Sequence, residues 1–350
     1  MGNTTSQKVK GFNNMAHHPL KIGYKASAEQ FGPRQLLNFA IEAEQLGFDS
    51  VWISDHFQPW HHTNGHAPFA LSWLAALGER TQHIKMGTSI LTPTFRYEPA
   101  IIAQAFGTLG VLYPGRMVLG VGSGESLNEV AVTARVWPSA KERLARLREA
   151  VDLIKKLWTE ELVTFNGQYY QTLNATIYDK PDSLIPIYIS AGGPVAARFA
   201  GRAGDGFICT SGKGKELYQD QLLPALVEGA KAAGRNPDTI ERTIEIKVSF
   251  DTDRQRAFED TKIWAALALP AEDKVEIHDA REMERRAEQV RDQAHRRWLV
   301  SSDPEEHIDQ IRPYIEDYGF THLIFHAPGD DQSRFLQLYA QKILPRLRQR

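Results

Sequence analysis

Cysteine is nearly missing from this chain: Cys209 stands alone, inside the apolar run "GFICTS" (206–211). One thiol excludes an internal disulfide. Its apolar setting reads as a buried thiol and fits a reducing, cytoplasmic environment. A dominant charge is missing too. The 41 basic and 43 acidic residues leave a formal net charge of -2, so no global field favours nucleic acid or an anionic membrane. Any anionic ligand must meet a local cluster of cations. No apolar run approaches the ~20 residues needed to span a bilayer. The first eighteen residues, "MGNTTSQKVKGFNNMAHH", lack the apolar centre of a secretory signal. They read as a flexible extension (1–18), with Met15 as an alternative start, ahead of a single domain over 19–350.

Short apolar runs alternating with helical patterns are what the chain does have. "LKIGYKA" (20–26), "SVWIS" (50–54), "IKMGTSIL" (84–91), "RMVLGVGSG" (116–124), "IPIYISAGG" (185–193), "DGFICTS" (205–211), "RTIEIKVSF" (242–250) and "THLIFHA" (321–327) make eight strand candidates. Most are continuous Val/Ile/Leu runs, as expected of parallel strands covered on both faces. Eight β/α alternations favour a closed (β/α)8 TIM barrel over an open doubly wound sheet. Two stretches break the repeat. Residues 159–181 read as a hairpin insertion around Asn166-Gly167; residues 253–300 read as a charged, helical insertion before the last strand.

In such a barrel the chemistry gathers at the C-terminal ends of the strands. That rule brings Asp55 and His56, then Ser89, Ile90 and Thr92, then Ser123, Gly124 and Glu125, then Gly192 and Gly193, then Thr210, Ser211 and Lys213 to one mouth.

The stretch "VWISDHFQPWHHTNGHAP" (51–68) holds four histidines and raises the question of metal. It lacks HExxH or Cys/His ligand spacing, and His61, His62 and His66 lie in a Gly/Asn-containing loop, so no metal site is expected. His56 differs. It directly follows a strand and is placed for proton transfer, or else only caps that strand. Glu125 opens a helix. It is either an acid/base partner for His56 or an acidic residue favoured by the helix dipole. "GVGSGESLNE" (120–129) is a poor dinucleotide fingerprint; its small residues suit a strand that lets a flat ligand approach its backbone. "SAGGP" (190–194) and "CTSGKG" (209–214) expose backbone N–H groups at helix starts, where phosphate binds well. Lys213 adds a charge there, unless it is merely solvated. Trp60 either packs or shields a reacting centre.

These segments together resemble a known family. "SDHFQPWHHTNGHAPFALSW", "GTSILTPTFRYEPAIIAQAF", "GVGSGESLNE", "YISAGGP" and "AGRAGDGFICTSGKG" are similar to the luciferase-like glucose-6-phosphate dehydrogenases that use the deazaflavin coenzyme F420. The similarity runs from about Leu20 to Arg348. The resemblance implies His56, Glu125 and Trp60 as the catalytic trio. It implies Asp55, Ser89, Ile90, Thr92, Ser123, Gly124, Asn128, Gly192, Gly193, Val195 and Ala196 around the coenzyme, with Ser89-Ile90 as a non-prolyl cis peptide. Glu29, Thr210, Lys213, Lys274 and Arg297 match positions around the sugar phosphate. It also implies a homodimer, with no metal and no nucleic-acid or membrane partner. The sequence departs from the family's pattern after Lys274, at Val275-Glu276 and "HDAREMERR", which leaves fructose or mannose 6-phosphate open as substrates. A flavin mononucleotide-dependent luciferase-like monooxygenase, an F420-dependent alcohol dehydrogenase and a non-catalytic coenzyme-binding barrel are the competing readings.

Overall fold

Continuous apolar runs cannot face water on either side, so they become strands enclosed by helices. The computed structural model describes residues 19–275 and 277–349; the extension expected at 1–18 lies outside them. Eleven strands are present among the described residues: β1 (Lys21–Ala26), β2 (Ser50–Ile53), β3 (Lys85–Thr88), β4 (Met117–Val121), β5 (Val163–Asn166), β6 (Gln171–Ala175), β7 (Ile187–Ser190), β8 (Gly206–Thr210), β9 (Glu241–Phe250), β10 (Leu299–Ser301) and β11 (His322–His326). β1-β2-β3-β4-β7-β8-β9-β11 pair in parallel, and β11 returns to β1 to close the barrel.

Helices wrap the outside. The first, α1 (Pro33–Gln45), starts at a proline and buries Leu36, Phe39, Ala40 and Ala43 at helical spacing. It is followed by α2 (Ala70–Arg80), α3 (Pro99–Leu112), α4 (Ser126–Thr133), α5 (Ala140–Thr159), α6 (Pro194–Ala203), α7 (Leu223–Ala232), α8 (Arg254–Glu259), α9 (Ala271–Val275) and α10 (Ala280–Glu288).

The lumen is packed in layers. At the bottom, His322 Nδ1 meets Glu241 Oε1 at 2.6 Å and His322 Nε2 meets Ser50 Oγ at 2.7 Å. Trp52, Val118, Tyr188, Ile208 and Ile324 form an apolar middle layer. Above them sits a charged layer. Lys25 pairs with Glu245 (3.1 Å) and donates to the Ser89 carbonyl; Glu245 also faces His326 (3.4 Å) and Lys247 (3.8 Å). The site therefore rests on a charged floor.

β5 and β6 form an antiparallel hairpin, but its turn is longer than the Asn166-Gly167 pair suggests. Asn166 pairs with Gln171, and Gly167 to Tyr170 make the loop. The reason lies on α5: the Glu149 carboxylate accepts the N–H groups of Gln168 (3.0 Å), Tyr169 (2.8 Å) and Tyr170 (2.7 Å) and draws the loop onto the helix.

The charged stretch before the last strand has a small core of its own. Leu269, Ile277, Met283 and Ala287 pack with Leu127 and Trp60. That burial, roughly 1.5–3 kcal/mol for a fully buried aliphatic side chain, holds the segment over the mouth. The arginines of α10 pair with Glu282 at 2.7–2.8 Å near the surface, where such pairs are worth about 0–1 kcal/mol. The sequence pattern did not anticipate β10. The ten-residue β9 extends past the barrel, and Leu299 to Ser301 pair with Val248 to Phe250 on that extension. This places Arg297 at the mouth.

Candidate active site

The side chains at the ends of β1 to β4 build one wall. Glu29, just beyond β1, is buried and does not face solvent. Ser54 Oγ donates to both of its carboxylate oxygens (3.0 and 3.1 Å). Glu29 Oε1 lies 2.8 Å from His56 Nδ1; the ring N–H is not aligned on it, so charge more than direction holds the contact. Burial opposes ionisation of Glu29, but His56 and Lys25 outweigh it and bring its pKa to about 2. Burial alone would lower the His56 pKa; Glu29, aided by Glu125, raises it above the ordinary histidine value. Glu29 thus stands against His56 and Ser54, buried at the end of β1.

Asp55 is fixed by charge. Its Oδ2 accepts from Arg96 (2.6 Å) and Tyr97 (2.9 Å), while its buried Oδ1 has no partner. Arg96 also reaches Glu129 at 3.4 Å. Burial nonetheless raises the Glu129 pKa to about 7.

Ser89-Ile90 is a cis peptide. Ile90 lies so close to Gly122 that a Cβ at 122 would come within 1.8 Å of its Cδ1. A side chain there would have to displace Ile90, so the small residues Gly122 and Gly124 leave a low strip beside Ile90 at the end of β4. Thr92 touches the same strip, 3.0 Å from where a Gly124 Cβ would sit, and Ser123 lies within it, half-buried. Asn128 does not simply face this strip. Its Oδ1 accepts the N–H groups of Phe57 (2.7 Å) and Gln58 (3.1 Å), which pins the histidine loop onto α4.

A cavity of ≈ 180 Å³ opens beside Gly124, lined among others by Trp60, Glu125, Lys274 and Met283. Glu125 occupies the N-cap position of α4. The Lys274 ammonium lies 5.2 Å from the centre of the Trp60 ring, and burial lowers its pKa to about 8 with further push from Arg297.

The opposite wall carries the glycine loops. A Cβ at Gly192 or Gly193 would meet nothing within 4 Å. α6 begins just after them with Pro194 and no side-chain cap, which leaves its first N–H groups, including those of Val195 and Ala196, to a ligand. Thr210 ends β8, and its carbonyl accepts from Tyr218 (2.9 Å). Arg297 runs alongside Gly212: its Nε lies 3.8 Å from where a Gly212 Cβ would be. Burial, then Arg297, lowers the pKa of Lys213. The structure thus brings Lys213, Lys274 and Arg297 together, although they are far apart in sequence.

Buried polar atoms are rarely left unpartnered in proteins. Here Asp55 Oδ1, Trp60 Nε1, Arg297 Nε and Trp298 Nε1 all are, and they surround the mouth. The arrangement suits a polar, anionic ligand lying against a flat apolar strip. The remaining loop histidines stay outside this set. His61 faces Trp264 at 6.3 Å, and the His66 backbone donates to the Glu29 carbonyl. Among the described residues, no group of three His, Cys, Asp or Glu has metal-holding geometry.

Sequence reasoning missed Arg96 and the lumen charges Lys25, Glu245 and Lys247. A signal for the last three exists: ionisable residues recur with period two inside otherwise apolar strand runs, which marks an inward face with charged contents.

The luciferase-like monooxygenase family model matches residues 15–322. The chain is 62% identical over 332 residues to the F420-dependent glucose-6-phosphate dehydrogenase of Intrasporangium calvum, covering 94% of this chain and 99% of that one. The chain belongs to the F420-dependent glucose-6-phosphate dehydrogenase branch of the luciferase-like family. The enzyme of that name from Nocardia farcinica is 60% identical, over 94% of this chain and 98% of its own. Among solved structures, an F420-dependent secondary alcohol dehydrogenase in complex with an F420-acetone adduct superposes with a TM-score of 0.88 at 36% identity, over 93% of this chain and 98% of its own. The F420-dependent tetrahydromethanopterin reductase of Methanopyrus kandleri (TM-score 0.77, 23% identity, 94% and 99% covered) shares the fold. The branch's barrel is the one expected from the eight β/α alternations.

Proposed function

We propose that this chain oxidises C1 of glucose 6-phosphate, or of a close sugar 6-phosphate, giving 6-phosphogluconolactone. Coenzyme F420, when bound, supplies the hydride acceptor at C5 of its deazaflavin ring. The observation that carries this reading is that the Glu29-supported His56 stands at the end of β2 while Glu125 and Lys274 line a cavity beside Trp60 and Arg297 runs along the Lys213 loop at Gly212. The residues fit the coenzyme: the orphaned Asp55 Oδ1 is a free acceptor, the Ile90–Gly122–Gly124 strip suits a flat ring, and the open glycines before α6 suit a phosphate-bearing tail. Asp55, Ser89, Ile90, Thr92, Ser123, Gly124 and Asn128 would hold the ring end; Gly192, Gly193, Val195 and Ala196 would hold the tail.

His56 takes the proton of the C1 hydroxyl. Glu125 handles the proton associated with the reduced coenzyme, and the two roles exchange in the reverse direction. Trp60 screens the reacting centre from water. Lys213, Lys274 and Arg297, with Thr210, grip the 6-phosphate, and binding energy spent on that remote group holds C1 in place. A simple-alcohol substrate needs no such cations, which disfavours the alcohol dehydrogenase reading. Mixing the protein with F420 and glucose, fructose or mannose 6-phosphate is expected to bleach the deazaflavin absorbance, fastest with glucose 6-phosphate. Turnover with flavin mononucleotide and oxygen instead would favour the monooxygenase.

The pH dependence has a definite sign. His56 serves as a base only when neutral, so kcat/KM falls as pH drops through its raised pKa. Glu29→Gln removes the raising charge and leaves the burial, so this acid limb should move to lower pH. A pH–rate profile reads it; a limb that stays in place would remove Glu29 from the mechanism.

The same reading takes 19–350 as one catalytic unit, with the hairpin and the 253–300 insertion as additions to the barrel, acting in the cytoplasm. No described helix is long and apolar enough to cross a membrane. We further infer a homodimer, supported by the exposed apolar side chains Ile101, Val111 and Leu112 on α3 and Leu173 on the hairpin insertion; light scattering that reads a monomer would overturn it.

A further inference from the structure

Lys247, like Lys25, is carried by a barrel strand and is buried; Lys213, Lys274 and Arg297 sit on loops and insertions. Its backbone N–H donates to Ser211 Oγ (2.9 Å), and it stands level with His326 across the β9–β11 pairing. Its side chain is 6% exposed. The carboxylate it faces, Glu245 Oε1, is 3.8 Å away, beyond hydrogen-bonding reach, and Glu245 is shared with Lys25 at 3.1 Å and His326 at 3.4 Å. Two lysines around one glutamate leave a positive charge over. A buried ammonium held this way is costly unless an anion completes its surroundings.

The cations around it lie on the ligand side. Lys213 follows β8 by three residues, and Ser211 of the same loop is the group that Lys247 touches. Arg297 leads into β10, which pairs with β9 at Val248, next to Lys247. Arg297, Lys25 and Lys213 all push the Lys247 pKa down after burial has done so, against the pull of Glu245. Lys274 feels Lys247 in turn. The Ser211 contact, the run of Arg297 along Gly212 and the pairing of β10 at Val248 gather Lys213, Arg297 and Lys247 at the ends of β8 and β9.

We infer that Lys247 is a fourth cation of the anion site, reaching the substrate's phosphate from the barrel floor and selecting for a doubly charged group. The inference rests on the sugar 6-phosphate reading above. Its physical content is that the oxygen of the ligand supplies the hydrogen bond Glu245 is too far away to accept. Lys25 and His326 hold Glu245 in place, so the ammonium is directed upward toward the ligand and not drawn into a closed ion pair.

The test is Lys247→Met, with Lys247→Gln as a second neutral variant should the first fold poorly. Calorimetry with inorganic phosphate on the coenzyme-free protein reads the site without turnover. The loss of one charge-assisted contact is expected to weaken phosphate binding, and to raise KM for glucose 6-phosphate, by about tenfold to a hundredfold. The expected kcat changes much less than KM, and F420 affinity stays at the parent value. Lys247→Arg should recover part of the phosphate affinity. Unchanged phosphate affinity in both neutral variants overturns the inference; so does a fall in F420 affinity equal to the rise in KM, which would mark a merely structural role. A parent protein that binds phosphate yet reduces F420 with no sugar 6-phosphate would sink the functional reading while leaving the anion site standing.

Discussion

His56→Ala should lower kcat by about 10²–10⁴-fold, the usual worth of a positioned acid or base, while F420 binding stays at the parent level. The imidazole sits on a buried carboxylate, and the charge of Glu125 also acts on it. His61 lies nearby in sequence, but it packs toward Trp264, and burial lowers its pKa. The measurement is a pair: steady-state turnover of glucose 6-phosphate, and F420 binding by fluorescence. Near-parent turnover would remove His56 from the chemistry. Lost coenzyme binding would mean that the residue shapes the pocket and does not move the proton.

Arg297→Met should cost about 2–5 kcal/mol of binding to the charged group, equivalent to roughly 30-fold to several-thousand-fold in kcat/KM for glucose 6-phosphate. The guanidinium is half-buried, its Nε lacks a protein partner, and it lies along Gly212 where the glycine loop leaves room. Arginine offers a planar fork that a phosphate can accept in two places, and methionine keeps the bulk but none of the donors. The loss should appear in KM, and activity toward unphosphorylated glucose should change little. Equal losses on both sugars would move Arg297 out of the phosphate site and into the support of β10.

Much of this was legible in the sequence for a simple physical reason. Parallel strands covered on both faces must be apolar throughout, so eight runs of Val, Ile and Leu separated by helical periodicity carry the barrel on their own. Barrel chemistry then gathers where strands end, and that rule alone selects His56 over its three neighbours in the same loop. Glu125 and the glycines at 192 and 193 follow from the same rule. The resemblance to the F420-dependent branch added Lys274, Arg297 and Glu29, which neither spacing nor periodicity could have brought together.

Other features depend on contacts between residues distant in sequence. Glu29 becomes the partner of His56 only because β1 and β2 lie side by side with their ends in register. Asn128 turns toward the backbone of Phe57 and Gln58, a contact 71 residues long that no local pattern announces. Arg96 locks Asp55 and leaves one oxygen free, a division of labour set by side-chain direction. β10 exists because β9 outlasts the barrel and offers an edge, and that pairing brings Arg297 alongside Gly212.

The sequence by itself determined the barrel, the mouth and the residue types that meet there, because periodicity and strand ends are local properties. Only the tertiary structure decided which charges pair, which are left over, and which carboxylate stands behind which histidine. Those depend on distances of a few ångströms between residues tens to hundreds of positions apart, and on burial, which weakens or strengthens each charge according to what closes around it.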